Sequence, residues 1–498
     1  MLTLSPIHSS SADLSGNTTT PAEVADSVKK EPSDFRKVSL FLGLLLFSIV
    51  ANYFAPKFIA TVLWVSVLIA YFRSKDEGFW LAYFLVLSDG FFGFFGMYSA
   101  MLNVIPGLPG IEAGQIYIIL GIIKAYGRPA DYSPFYSNWL KILLIYLGFL
   151  MVQGYVVGVT MEMNVQFRLL KWLVPLFLLY SMPRLFTRVE QYRDVFLYLF
   201  PVALAALGAQ IFTLMLAHSP MQHFGVEKKA KFAIKVSKEK TYRGLYNEMI
   251  LLITFFGALF FAAFRPGKYF KTGYMFLILL ANFASVFLSA TRGWVICFSF
   301  SLILSLVFVL RLSPGRMVTL AVLCVVFAVG AQYLPVVGLQ VTNAFKRLLT
   351  LEKLAEGDMS AGGTLIRLNT RGPRVMKKFA EAPLTGFGFS DEFMEANDFH
   401  VGNQNILLHS GVIGYALMHL FFLFFVFKLF VRNMNLPPEH TYRGALLVFC
   451  IFFPAWFMLH SSSQQFFSYY QTVQGGIIQG LFFSMGALMF QKAEEESE

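Results

Sequence analysis

From residue 38 to 333, and again from 404 to 490, the chain is a succession of apolar runs separated by short polar connections. A membrane-spanning helix needs about 20 apolar residues. On that measure, helices fall near 38–54, 58–72, 79–99, 112–125, 139–158, 166–182 and 194–217. More follow near 246–264, 270–290, 292–311, 316–333, 404–431, 443–459 and 470–490, fourteen in all, the fourth being short. The expected fold is an all-α, polytopic bundle of about 12–14 transmembrane helices. One stretch, residues 334–403, leaves the apolar pattern and reads as a long extracytoplasmic loop containing short helices. Residues 1–37 are polar and lack an apolar run, so they read as a disordered cytoplasmic tail and not a signal peptide. Residues 491–498 read as a second cytoplasmic tail.

Composition agrees with the pattern. The chain is 56% hydrophobic and 14% charged, against about 25% charged residues in a soluble protein. Cys297, Cys324 and Cys450 lie inside apolar segments, which argues against a disulfide framework or a cysteine metal site. No cofactor is expected. The net charge of +11 reads as topology, with no nucleic-acid partner implied, because basic residues gather in cytoplasmic loops. With the N-terminus inside, Arg36 and Lys37, Arg73 and Lys75, Lys124 and Arg128, Arg184 and Arg193, Arg265 and Lys268, Arg311, and Arg432 all fall on inner connections. Both termini are then cytoplasmic. Two outer segments break the rule: 218–245 is strongly basic, and 334–403 is long and nearly balanced in charge. An anionic ligand is the simplest reason to translocate so much positive charge; contact with acidic headgroups or surface polymer is the alternative.

Candidate chemistry gathers on that outer face. Arg243 stands just before one helix, and Arg292 sits in a tight hairpin between two. A guanidinium at a helix mouth is costly unless it is paired or faces water, and it can hold phosphate oxygens in a bidentate way. A snorkelling interface anchor is the plainer reading. His400, at the end of the insert, has an imidazole able to take a proton from a hydroxyl near neutral pH. Within the insert, Arg367, Arg371 and Arg374 recur at helical spacing, so 364–381 reads as a short basic amphipathic helix ending at the Pro383–Phe389 turn. These three, with Lys240 and Arg168, are possible substrate contacts; each is also compatible with a solvated face. His409 and His419 read as buried, hydrogen-bonded bundle histidines, and Asp89 as a cap on a helix break at Gly90. Ser410, Gly411 and Gly414 read as a close-packing surface.

Four short pieces in one order resemble the superfamily of O-antigen ligases and O-antigen polymerases, bacterial envelope glycosyltransferases. They are Arg243-Gly-Leu-Tyr-Asn247, Ser289-Ala-Thr-Arg-Gly293, the Pro383-Leu-Thr-Gly-Phe-Gly-Phe389 turn, and His400 followed by Gly411-Val-Ile-Gly414. The chain departs from that pattern at Val401, where the family usually has Asn, and at His409, where a Glu is common. The resemblance implies an inverting, metal-independent transfer from an undecaprenyl-diphosphate-linked glycan in the bacterial inner membrane, with a periplasmic active face. Arg243 and Arg292 would then bind the donor diphosphate, and His400 would activate the acceptor hydroxyl. The leading expectation is a ligase with a lipid A-core acceptor, and the alternative is a polymerase with a glycan acceptor. A polysaccharide flippase is the rival from another class; it predicts charges lining a central cavity, whereas here they gather at one face.

Overall fold

The computed structural model describes residues 33–89, 101–102, 110–216, 223, 245–313, 315, 318, 322, 326, 329–330, 333, 335–349, 366–398, 401–461 and 468–497. Helices α1 (Asp34–Phe54), α2 (Lys57–Arg73) and α3 (Glu77–Asp89) come first, followed by a two-stranded ribbon, β1 (Met101–Leu102) and β2 (Ile111–Glu112). Then come α4 (Ala113–Ala125), α5 (Ser137–Val157), α6 (Met163–Leu173), α7 (Leu178–Leu185) and α8 (Val189–Leu216). The middle of the chain holds α9 (Glu248–Ala263), α10 (Thr272–Leu288) and α11 (Arg292–Leu304), the last continued by a π turn, Ser305–Val309. Helices α12 (Pro335–Leu349), α13 (Ile366–Phe379) and α14 (Asp391–Ala396) belong to the insert. The chain closes with α15 (Gly402–Asn435), α16 (Ala445–Ser461) and α17 (Val473–Glu495).

The protein is an all-α, multi-pass membrane bundle. Seven of the described helices, or continuous helical stretches, are long and apolar enough to cross a bilayer. The short fourth run forms an apolar helix, α4, of 13 residues that is not among the seven, and the sixth is divided by a 3-10 turn at Val174–Phe177 that carries Pro175. Apolar on all sides, α9 and α17 form the centre, buried from Met249 to Phe261 and from Val473 to Met489. Helices α1, α5 and α15 are the least buried of the seven, each with 28% of its apolar window buried inside the protein. Some polar groups inside are bonded to partners: Tyr192 donates to Ser484 Oγ at 2.9 Å, and Tyr132 donates to the Ser484 carbonyl at 3.0 Å.

Ion pairs define one end of the bundle. Arg193, in the second turn of α8, pairs with Asp34 at the start of α1, and Lys37 reaches Asp194 at 3.7 Å. Lys124 meets Glu77 at 2.5 Å, with both side chains almost wholly buried. Arg265 pairs with Glu496 at 3.1 Å, and Tyr442 donates to the same carboxylate at 3.0 Å. The start of α1 and the finish of α17 therefore share this end, which is also where the expected inner connections lie. The insert sits at the opposite end.

Candidate functional site

The insert does more than cover helix ends. Helix α15 is broken at Gly411, whose backbone lies at φ 64°, ψ −175°, a conformation that is essentially confined to glycine. The break removes the bonds that the amides of Val412 and Ile413 would make to the carbonyls of Leu408 and His409. The Pro383–Phe389 turn supplies replacements on both sides. Val412 donates to the Pro383 carbonyl at 2.9 Å and Ile413 to Leu384 at 3.2 Å. Phe387 donates to Leu408 at 2.9 Å and Gly388 to His409 at 2.8 Å. Irregular backbone at membrane depth is tolerated only when protein satisfies it, and here a turn and a broken helix satisfy each other.

Helix α5 forms the other wall. Phe389 donates to the Leu150 carbonyl at 3.3 Å, Asp391 to Gly158 at 3.0 Å, and Gln153 donates to Thr385 Oγ1 and to the Gly386 carbonyl at 2.8 and 2.6 Å. Tyr146 holds the Ser410 carbonyl at 2.7 Å. Gly386 and Gly388 also have left-handed backbones, and a Cβ on Gly388 would lie 2.4 Å from the Leu150 carbonyl oxygen. The turn that the sequence places in an outer loop is thus wedged between two helices.

Beside it, His409 is fully buried among Phe389, Phe393 and Tyr470, with ring centroids 4.4, 4.7 and 5.0 Å away. Neither ring nitrogen finds a hydrogen bond among the described residues. The expected bundle histidine is buried but not bonded. His419 meets the expectation better, bonding the Tyr415 carbonyl at 2.7 Å.

Just before α15 lies a polar knot centred on Asp398. Arg371 and Arg374 of α13 donate to its two carboxylate oxygens, each at 3.2 Å. Asn405, fully buried, accepts from the Asp398 amide at 2.9 Å and donates to its carbonyl at 2.6 Å. Val401 donates to the Asp398 carbonyl at 3.2 Å. Asp398 and Val401 flank positions 399–400, so the backbone is braced on both sides of them; His400 itself lies outside the described residues. The amphipathic helix expected at 364–381 is α13. Two of its candidate substrate arginines share an internal carboxylate, although Arg374 still exposes 60% of its side chain. Arg367 is on α13, with its side chain outside the described set.

A second group gathers at the same end. Arg292 is the first residue of α11 and half-buried, after a hairpin of three residues in which Ala290 is left-handed at φ 52°. Helix α12 lies over that hairpin: Gln340 donates to the Leu288 carbonyl at 2.7 Å, and Val341 packs with Leu288 and Leu214. Next to it α9 begins after Asn247, and Asp89 caps it from α3, accepting from the amides of Met249 and Ile250 at 3.1 and 3.0 Å. The carboxylate expected to cap a break at Gly90 therefore caps a different helix. Lys240 and Arg243 precede α9 and lie outside the described residues. Arg168 is exposed on α6. Helix α16 packs against both α15 and α11, between the two groups.

Asp398 is a site residue that sequence reasoning missed. Only the run of basic residues on one face of α13 hints at a buried acidic partner. The chain matches no family model and no curated protein.

Proposed function

We propose that this protein is an inverting, metal-independent glycosyltransferase of the bacterial inner membrane. It moves a glycan from an undecaprenyl-diphosphate carrier to a sugar hydroxyl, with lipid A-core as acceptor. The observation that carries the reading is the braced junction at residues 398–405, set beside a broken helix at the end of the bundle that also holds Arg292. A basic helix mouth is suited to a diphosphate whose lipid tail remains in the bilayer. A rigid junction suits a base that must meet one hydroxyl in one orientation.

In the proposed step the acceptor oxygen attacks the anomeric carbon as the bond to the diphosphate breaks. The hydroxyl proton passes to the imidazole of His400. Negative charge growing on the departing diphosphate is stabilised by Arg243 and Arg292, with Arg374 and Lys240 near the acidic donor. The basic segments at this end face the periplasm, and both termini face the cytoplasm.

Deleting the gene and resolving envelope glycans on a gel tests the reading. The expected result is loss of polymer from lipid A-core while polymer is still made on carrier lipid. Complementation by the wild-type gene should restore it, and by His400→Ala or Arg292→Ala, expressed at equal level, should not. Core bearing a single repeat unit would instead make the protein a polymerase. Retained glycan transfer with lost translocation of the lipid-linked donor would sink the transferase reading.

A further inference from the structure

At the end of the bundle opposite the insert, a cleft of about 370 Å³ opens between the ends of α9 and α11 and the α15–α16 connection. Its charged lining is Arg265, Arg311, Arg443 and one carboxylate, Glu439, with His440 beside them. Nothing in the proposed transfer uses it.

Its backbone is unusual. Arg265 and Arg311 each follow a helix C-terminus and take left-handed conformations, at φ 48° and 47°. That position after a helix normally falls to glycine, which adopts it without a Cβ clash. Two of the four non-glycine residues with positive φ among the described residues therefore line one cleft, and both are arginines. The carbonyl ends of α9 and α11 would repel an anion, and the arginines reverse the local sign.

Their charges are only partly used within the chain. Arg265 is paired with Glu496. Arg443 donates through Nη1 to the Leu436 carbonyl at 2.9 Å, while its buried Nε has no acceptor among the described residues. Arg311 is exposed and meets no carboxylate among the described residues. Gly444, just before α16, lies in the same wall, but its amide is already donated to Asn433 Oδ1 at 3.1 Å, so the positive lining comes from the arginines.

We propose that this cleft binds a phosphate-bearing anion through Arg311 and Arg443, with His440 at its edge. The phosphate belongs either to a small soluble ion or to an anionic lipid headgroup, since the cleft lies at helix ends where headgroups also lie. Arginine is suited to this because its planar fork matches phosphate oxygens.

The test uses the full chain in nanodiscs of zwitterionic phosphatidylcholine, followed by thermal unfolding. One arm adds inorganic phosphate against chloride at equal ionic strength; the other replaces part of the lipid with phosphatidylglycerol and adds no phosphate. At least one arm should raise the melting temperature of the wild type. Arg311→Gly and Arg443→Gln should each weaken that response at least tenfold in midpoint concentration. Arg311→Gly should melt no lower than wild type without the anion, because glycine suits its backbone. A response to phosphate alone assigns a soluble anion, and a response to phosphatidylglycerol alone assigns a headgroup. Stabilisation by neither, or a full response retained in both variants, would overturn the proposal.

Discussion

Replacing Gly411 by alanine is the sharpest probe of the broken helix. A Cβ there would lie 2.2 Å from the Leu384 carbonyl oxygen and 2.4 Å from the Thr385 amide nitrogen. Both are backbone atoms of the wedged turn, so no side chain can rotate away. The left-handed backbone itself costs a non-glycine residue about 1–3 kcal/mol. If the turn is pushed off, four backbone hydrogen bonds between turn and helix go with it, at about 1 kcal/mol each. The sum, about 5–7 kcal/mol, is comparable with the whole stability of many domains, about 5–15 kcal/mol. Gly148→Ala on α5 is the control, because a Cβ there meets nothing within 4 Å. Melting in detergent should fall sharply for Gly411→Ala and hardly at all for Gly148→Ala. Amide hydrogen exchange should rise across 383–389 in the first variant alone. A Gly411→Ala protein with wild-type melting and unchanged exchange in that peptide would refute the interlocked turn.

Other expectations follow from the same contacts. Glu77→Gln leaves Lys124 charged with its side chain only 3% exposed, and should destabilise by about 3–5 kcal/mol; thermal melts should show most of it recovered in Glu77→Met with Lys124→Met. Asn405→Ala strips the Asp398 amide of its partner and leaves its carbonyl only the Val401 donor, and should cost about 1–3 kcal/mol; a larger loss of the proposed glycan transfer than of melting temperature would mark the junction as a positioning element. Asp76, exposed in the connection between α2 and α3, has its carboxyl raised above the ordinary value, first by partial desolvation and then by the nearby Asp194 carboxylate. The folded state therefore binds that proton more tightly than the unfolded chain, and stability falls as pH rises from the ordinary carboxylate range through the folded value. Asp76→Asn should flatten that slope in melts taken across the acid range; an unaltered slope would remove Asp76 as its source.

The spans were legible in the sequence because apolar length alone specifies them: the run at 292–311 became α11 and its π turn, and 404–431 became the body of α15. Helix α13 was legible from the spacing of its arginines. The break at Gly411 was not, since Gly411 and Gly414 suit a straight, close-packed helix equally well, and only the incoming turn distinguishes the two cases. Asp89 looked like a local cap because its partners, Met249 and Ile250, lie far along the chain. Arg371 and Arg374 looked free for substrate because Asp398 is brought to them by the return of the chain into α15. Such pairings depend on tertiary approach, which residue patterns record weakly.

The length of α15 carries one more consequence. Its 34 residues would extend about 51 Å at about 1.5 Å each, far more than the roughly 30 Å of a bilayer's hydrocarbon layer. The portion after the break, residues 412–435, would by itself extend about 36 Å at that rise and cross the membrane unaided. Gly411 therefore works as a depth gauge. The residues before it add about 15 Å of helix beyond that crossing length, with the Asp398 junction at their head. On the proposed function, that added length would hold the junction toward the polar head of a carrier lipid lying in the bilayer.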